Sequence, residues 1–258
     1  MAKPARSIRK LRLAWIVVAV CLTSPAARAY RPFDGTDADV AEKNAVELEL
    51  GPAGFLRAGG RRSVVAPSLI ANWGFAKDLE LVLEGRQFIL LGDTAGQPRA
   101  QILETQLDLK WLMREGALQN GTGPSVASEW TILLPETGQS RLGAELAAIV
   151  SWRWTALTLH ANGAAAYTRE QSAGFFGGLI VEGPEAWPVR PVGEAFYAWD
   201  SAGAGELSGL AGVIWPLRPT LALDAAVRTA SVRAAGQTST TIEVRAGLTW
   251  SFSLTHSS

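Results

Sequence analysis

The chain has 258 residues, 48% of them hydrophobic, and its 24 Lys and Arg residues balance 24 Asp and Glu residues. Six of the bases lie in the first 29 residues, which contain no acid, so the remaining chain carries a net charge of −6. A mildly acidic chain without a basic stripe argues against nucleic acid as a partner. One cysteine, Cys21, and two histidines are too few for a disulfide framework or a cysteine- or histidine-rich metal centre, so we predict no metal and no cofactor.

The first predicted element, residues 1–29, is a secretory signal peptide. A basic stretch as far as Arg12 precedes an apolar run from Leu13 to Leu22, and the small residues Ala27 and Ala29 close the segment. About ten apolar residues are too few for a membrane-spanning helix, which needs about 20. We therefore predict export, with cleavage after Ala29.

Residues 30–43 form a second, acidic segment. Asp34, Asp37 and Asp39 lie within it, and two interpretations remain open. The segment is either a flexible periplasmic lead-in or a strap that folds back into the interior of the remaining structure, where Asp34 and Asp37 pair with arginines. A calcium loop is disfavoured, because the central glycine and terminal glutamate of an EF-hand loop are missing.

From residue 44 to residue 252, apolar and polar side chains alternate. Leu107, Leu109 and Trp111, for example, alternate with Asp108 and Lys110, which is the period of a β-strand. Breaks at Gly, Pro and Asn divide this region into twelve segments, near 44–58, 62–74, 78–90, 99–113, 124–134, 141–154, 156–168, 172–182, 188–199, 204–215, 219–231 and 239–252.

The segment lengths distinguish between the possible β architectures. They run to about 10–15 residues, whereas soluble strands average about 5–6 and bilayer-crossing strands need about 9–11. An even number of strands with continuous apolar faces matches a barrel without free edges. The predicted fold is all-β: an up-and-down antiparallel transmembrane β-barrel of about 12 strands over residues 44–252, followed by a tail of residues 253–258.

The two faces of the strands differ in chemistry. The apolar face ends repeatedly in tryptophan, as expected of membrane-interface girdles, which favours the membrane barrel over a soluble β-protein with its apolar face inside. The predicted girdle residues are Trp73, Trp111, Trp152, Trp154, Trp199, Trp215 and Trp250. The charged face should line the lumen, with Glu80, Glu84, Arg86, Glu104, Asp108, Lys110, Arg190, Glu194, Arg228 and Arg245 as the candidates.

The last segment predicts two partners of the protein. Its alternating apolar residues from Val244 to Phe252 resemble the C-terminal signal that barrel-assembly machinery reads in outer-membrane barrels. We therefore expect that machinery, through the strand ending at Phe252, and outer-membrane lipid as partners.

The predicted bore is narrow. Twelve strands about 4.8 Å apart and tilted by about 40° give a diameter of roughly 24 Å, which side chains reduce to about 10 Å or less. The lumen charges either line a narrow channel or pair with one another and close it, and we favour a mostly filled interior. The longest candidate loops, near 91–100 and 232–239, are short, which disfavours a barrel that acts through its loops.

A lipid-modifying barrel enzyme is a further alternative. Outer-membrane phospholipase A has a similar size and strand number, and its serine nucleophile lies two positions after a histidine. Here His160 is followed by Ala161 and Asn162, and no nucleophile is visible within reach of His160. We predict no enzymatic activity and interpret His160 as a polar residue of the lumen.

Several segments resemble a family of bacterial outer-membrane proteins labelled as transporters or as the MetA-pathway phenol-degradation type. These segments are residues 31–42, 46–52, 80–85, 121–124 and 181–184. The resemblance implies a location in the cell outer membrane and passive passage of small solutes, with aromatic or other apolar molecules among them. It brings no catalytic residues. A closed structural barrel without transport remains the alternative to this channel.

Overall fold

The alternating segments form twelve β-strands in a computed structural model that describes residues 31–94 and 96–254. The predicted signal peptide and residues 255–258 of the tail lie outside the described residues. The strands are β1 (Ala45–Ala58), β2 (Arg61–Ala76), β3 (Leu79–Leu91), β4 (Ala100–Arg114), β5 (Ser125–Leu133), β6 (Gly143–Arg153), β7 (Thr158–Tyr167), β8 (Ala173–Glu182), β9 (Arg190–Asp200), β10 (Gly205–Arg218), β11 (Leu221–Ala234) and β12 (Gln237–Ser253). A 3₁₀ turn, Ala117–Gln119, lies between β4 and β5.

Each strand pairs antiparallel with its chain neighbours, and β1 pairs with β12 to close the barrel. The closing ladder runs from Ala45 opposite Ser253 to Ala58 opposite Thr241. Because the sheet is closed, none of the twelve described strands has a free edge that exposes unpaired backbone groups to lipid. The predicted closed, twelve-stranded, all-β barrel is confirmed, and every predicted strand end lies within three residues of the observed one.

No helix in the described part of the chain is both long enough and apolar enough to cross a membrane.

Alternation along each strand separates the two surfaces of the barrel. On β12, Val244 points outward and is 47% exposed, whereas its neighbours Glu243 and Arg245 point inward and are 1% and 6% exposed. The outward surface is therefore apolar and the inward surface polar, which is the distribution of a barrel surrounded by lipid.

We call the end where β1 begins and β12 ends the proximal end, and the opposite end distal. Six of the seven predicted girdle tryptophans lie toward the proximal ends of their strands, and Trp199 lies at the distal end of β9. Outward-facing Tyr167, Phe175 and Tyr197 join Trp199 at the distal end, each of them about half exposed. Aromatic side chains thus mark both ends, although the distal ring contains mostly tyrosine and phenylalanine.

One loop prediction was wrong. Residues 232–239 are not a loop, because β11 and β12 continue as a hairpin to the two-residue turn Ala235-Gly236. Both turn residues have positive φ, 49° and 75°, as a type I′ hairpin turn requires. The longest connection between the described strands is instead residues 115–124, at the proximal end.

Candidate functional site: the barrel interior

Residues 31–44, which we call the strap, lie inside the barrel and form neither helix nor strand. Backbone N–H groups inside a barrel need hydrogen-bond acceptors. Because the strap does not pair with a strand, side chains must provide these acceptors. The wall provides them on many sides. Strap N–H groups donate to Glu49 (from Arg31, 2.9 Å), Glu194 (from Asp34 and Gly35, 2.8 and 2.7 Å), Asn162 (from Thr36, 3.0 Å), Ser151 (from Ala38, 2.9 Å) and Glu80 (from Ala41).

Asp34 connects the strap to two arginines of the wall. Its carboxylate accepts a hydrogen bond from Arg245 at 2.7 Å and lies 3.1 Å from Nε of Arg228. Arg245 also donates to the carbonyl oxygen of Pro32 at 2.8 Å. Burial raises the pKa of Asp34, but the positive charges of Arg245 and Arg228 together lower it by more. The pKa of Asp34 therefore lies below its ordinary value. Asp34 is therefore ionised at neutral pH and held between the two guanidinium groups.

The other two aspartates of the strap have different partners. Asp37 lies 3.6 Å from the ammonium group of Lys110, rather than beside an arginine, and Lys110 also donates to Thr36 Oγ1 at 3.0 Å. Asp39 accepts a hydrogen bond at 2.7 Å from the uncharged amide of Gln119. The three aspartates of the strap are thus matched to donors in three separate parts of the protein, two on the barrel wall and one in the 3₁₀ turn.

Arg31 holds the beginning of the strap. Its guanidinium donates to Ser68 at 2.7 Å and lies 3.5 Å from Asp224.

Two apolar contacts add to these polar ones. Phe33 packs against Val192, Ile214 and Ala222 on β9, β10 and β11. Ala38 packs against Ala127 and Ile149 on the other side of the barrel. The strap therefore has an apolar anchor on each side of the lumen, which fixes its course across the interior.

Cavities lie on both sides of the strap. A cavity of about 320 Å³ lies on its distal side. It is lined by residues 31–36 and by wall residues that include Glu104, near the distal end of β4. A second cavity, of about 370 Å³, lies at the proximal end and is lined by residues 39–43 together with residues such as Lys77 and Glu115. The two cavities share no lining residue, so the strap lies between the distal and the proximal space.

The structure brings the predicted lumen arginines into ionic networks. Arg86 pairs with Glu104 (2.8 Å) and with Glu243. Arg228 pairs with Glu206, and Arg245 lies 3.0 Å from Glu243. The result is a basic cluster, Arg86, Arg228 and Arg245, whose members all have carboxylate partners.

The remaining predicted residues lie on two other parts of the wall. Arg190 pairs with Glu182 at 3.1 Å near the proximal end of β9, and Glu194 binds the strap. Glu80, Glu84, Asp108 and Lys110 lie together on β3 and β4. All ten predicted residues are therefore on the inner wall, but they are distributed among separate networks and do not form a single charge ladder.

The strap acceptors Glu49, Ser151 and Asn162 were absent from the predicted site. The same alternation that selected Glu80 also places these three residues on the inner face, so that signal was available. The sequence pattern does not show that their partner is the chain's own backbone.

One prediction about His160 was wrong, because a nucleophile does lie within its reach. Ser151 Oγ is 2.8 Å from His160 Nδ1, and Glu182 Oε1 is 3.0 Å from His160 Nε2. The serine comes from the adjacent strand β6, where it faces His160 across the β6–β7 ladder, so no local sequence motif reveals it. Ser151 and His160 are 0% and 1% exposed, and Ser151 Oγ accepts the N–H of Ala38.

No group of three His, Cys, Asp or Glu side chains among the described residues is arranged to hold a metal ion.

A closed barrel with an apolar outer surface and a charged interior is a transmembrane β-barrel. Comparison with known proteins shows which barrels have a similar fold. No protein-family model matches the chain, and no curated protein matches it significantly. The structure is similar to the COG4313 outer membrane channel from Pseudomonas putida F1, with a TM-score of 0.60 and 9% identity over 85% of this chain and 100% of that chain.

The fold is also similar to that of the KdgM porin, solved alone and in complex with disordered oligogalacturonate. The TM-score is 0.52 and the identity 11%, over 80% of this chain and 99% of that chain. These likenesses concern the fold, which is that of outer-membrane barrels. The protein therefore has the fold of an outer-membrane β-barrel.

Proposed function

We propose that the protein is a passive outer-membrane channel for small solutes and that the strap controls its path. The observation that carries this proposal is the separation of two interior cavities by a segment that is not part of the wall. The strap is held by side chains rather than by strand pairing, so it can move without opening the barrel. The names of the two similar structures, a channel and a porin, agree with this proposal.

The lining of the distal cavity indicates which class of solute the channel admits. Carboxylates and guanidinium groups provide most of its charged surface, and Phe33 and Phe176 are its aromatic side chains. A charged lining favours polar solutes, because an apolar molecule would displace the water around these groups without replacing its hydrogen bonds. The aromatic or apolar solutes implied by the family resemblance, including the MetA-pathway type, are therefore the second candidate class.

A reversible tether between the strap and the wall tests the proposal. An added Cβ at Gly35 would lie 3.3 Å from the side chain of Asn162, so Gly35→Cys with Asn162→Cys places two thiols close together. Cys21, within the predicted signal peptide, is the only native cysteine. We expect low conductance in planar bilayers for the oxidised double variant and higher conductance after reduction, with each single variant insensitive to reductant.

Deletion of residues 31–43 is a second test of the proposal, because it removes nearly the whole strap. We expect higher conductance and faster liposome entry of small polar solutes than with the wild type, and solutes of both classes should be compared. If the deletion variant folds but neither conducts nor admits solute, the channel proposal is wrong and the closed structural barrel is the better interpretation.

We further propose that the Ser151–His160–Glu182 network anchors the strap and does not catalyse a reaction. The serine oxygen already accepts a strap N–H, and the buried histidine faces the interior, away from lipid. A fluorophosphonate probe, which reacts with activated serines, should not label the protein. Labelling of the wild type that disappears in Ser151→Ala would show an activated serine and contradict the purely structural role.

A further inference from the structure

The inner face of β3, β4, β5 and β6 carries an acidic wall, which we define as Glu80, Glu84, Asp108, Glu129 and Glu145. The strand register places these residues in adjacent rows. Glu80 faces Lys110, which faces Glu129, and the next row distally runs from Asp108 through Thr131 to Glu145. All five carboxylates line the distal cavity.

The bases near the acidic wall do not balance it. Lys110 is the base within these rows, and it donates to Thr36 and lies beside Asp37 of the strap. Arg86, two residues beyond Glu84 on β3, pairs with Glu104 and Glu243. Across the cavity, Arg245 is bound by Asp34 and Glu243.

Two carboxylates of the acidic wall are buried and incompletely bonded. Asp108 is 2% exposed, and its Oδ1 atom has no hydrogen-bond partner among the described residues. Glu80 is 1% exposed; its Oε2 accepts the N–H of Ala41, but its Oε1 has no such partner. A buried carboxylate oxygen without a donor is unfavourable, so the wall can accept hydrogen bonds from a cationic ligand.

The arrangement also indicates the class of cation. Within the described residues no three acidic or histidine side chains converge as metal ligands, which disfavours a chelated metal ion. Carboxylates spread over neighbouring strands, about 4.8 Å apart, match a ligand that carries several N–H donors. A cavity of about 320 Å³ has room for a small molecule of this kind.

We propose that the acidic wall binds small organic cations bearing ammonium or guanidinium groups. We also propose that it makes the channel select cations over anions. The selectivity part rests on the proposed channel function, whereas binding requires only that the distal cavity is accessible.

Binding of 1,4-diaminobutane to the purified protein in detergent, measured by calorimetry, tests the site. We expect saturable binding by the wild type and none of the neutral analogue 1,4-butanediol. Asp108→Asn should lower the affinity for the diamine by about tenfold or more, because it replaces an acceptor oxygen of the wall by an amide nitrogen, which cannot accept a hydrogen bond from an ammonium group. This variant should fold, because asparagine has nearly the size and shape of aspartate and keeps one acceptor oxygen.

Glu170→Gln, in the exposed connection between β7 and β8, is the matched control and should bind the diamine as the wild type does. Glu145→Gln is a second variant that tests the wall independently of Asp108. The proposal is overturned if the wild type shows no saturable binding of the diamine, or if both wall variants bind the diamine as tightly as the wild type does. It is also overturned if the diol binds like the diamine.

A salt-gradient measurement separates this inference from the proposed function. In the strap-deleted protein, the reversal potential should show preference for K⁺ over Cl⁻, and Asp108→Asn should reduce that preference. Diamine binding without conductance would support the site and contradict the channel. Conductance without diamine binding would contradict the site alone.

Discussion

Asp34 is the residue through which the strap is joined to the basic cluster. Replacing it by asparagine keeps its shape but removes the negative charge between Arg228 and Arg245, which leaves both guanidinium groups less well paired. We expect Asp34→Asn to weaken the strapped state by about 2 kcal/mol and to raise the open probability in planar bilayers. Asp37→Asn, whose carboxylate is 3.6 Å from Lys110, serves as the comparison and should have a smaller effect.

The same residue predicts a pH dependence. Because the folded pKa of Asp34 is lowered, its ion pairs contribute stability that is fully present above the unfolded pKa, about 3.9, and is lost as pH falls through the lower folded value. The difference in opening between the wild type and Asp34→Asn should therefore stay constant between neutral pH and about pH 5 and should shrink only in stronger acid. A difference that disappears already near neutral pH would show that Asp34 is not held as an anion.

Ala235 occupies a turn position that its side chain disfavours. Its φ of 49° lies in the left-handed region, where a residue with a Cβ is strained by about 1 kcal/mol or more. Ala235→Asn creates the Asn-Gly pair preferred in two-residue hairpins and should raise the free energy of unfolding by about 0.5–1 kcal/mol. Gly236→Ala, at φ 75°, should lower it, and equal stability of the two variants would contradict this account.

At the scale of elements, the strap depends on a close approach to β2. A Cβ at Gly74 would clash with the backbone carbonyl oxygens of Ala41 and Glu42, and Asn44 N donates to Gly74 O at 2.5 Å. We expect Gly74→Ala to displace the end of the strap and increase conductance. Gly163→Ala is the matched control, because a Cβ there meets nothing within 4 Å, and similar behaviour of the two variants would argue against a steric effect on the strap.

The final strand carries the proposed contact with the assembly machinery. Trp250 and Phe252 contact each other on the outward face, with ring centroids 4.9 Å apart and the rings tilted by 39°, and the strand pairing extends to Ser253. We propose that this face is read during assembly, so Phe252→Ala should reduce the folded protein found in outer-membrane fractions. Refolding of the purified variant into detergent should be little changed; a matching loss there would indicate a defect in stability rather than in recognition.

For the whole molecule, the lipid-facing surface predicts how the protein is extracted. Exposed Leu83, Ile102, Leu146 and Leu207 are each about half accessible on the barrel exterior, and water contact at such a surface is unfavourable. We expect salt and alkaline washes to leave the protein in the membrane and detergent to release it. Release by alkali alone would contradict the membrane barrel.

The strands were predictable because lipid and lumen impose opposite demands on successive residues. Glu243, Val244 and Arg245 show this directly, since their alternation alone assigns each one to its face. The path of the strap was not predictable, because residues 31–44 have no periodicity and their partners come from many strands. The contact between Ser151 and His160 depends on the register of β6 against β7, which a count of residues between turns does not fix to one residue.

The strap also has a consequence for the order of folding. It precedes β1 in the chain, yet its backbone donates to side chains on β1, β3, β6, β7 and β9. These acceptors are brought together only when most of the sheet has formed. We therefore expect the strap, although it is synthesised before the barrel, to remain unattached while the barrel assembles and to reach its native position among the last parts of the protein.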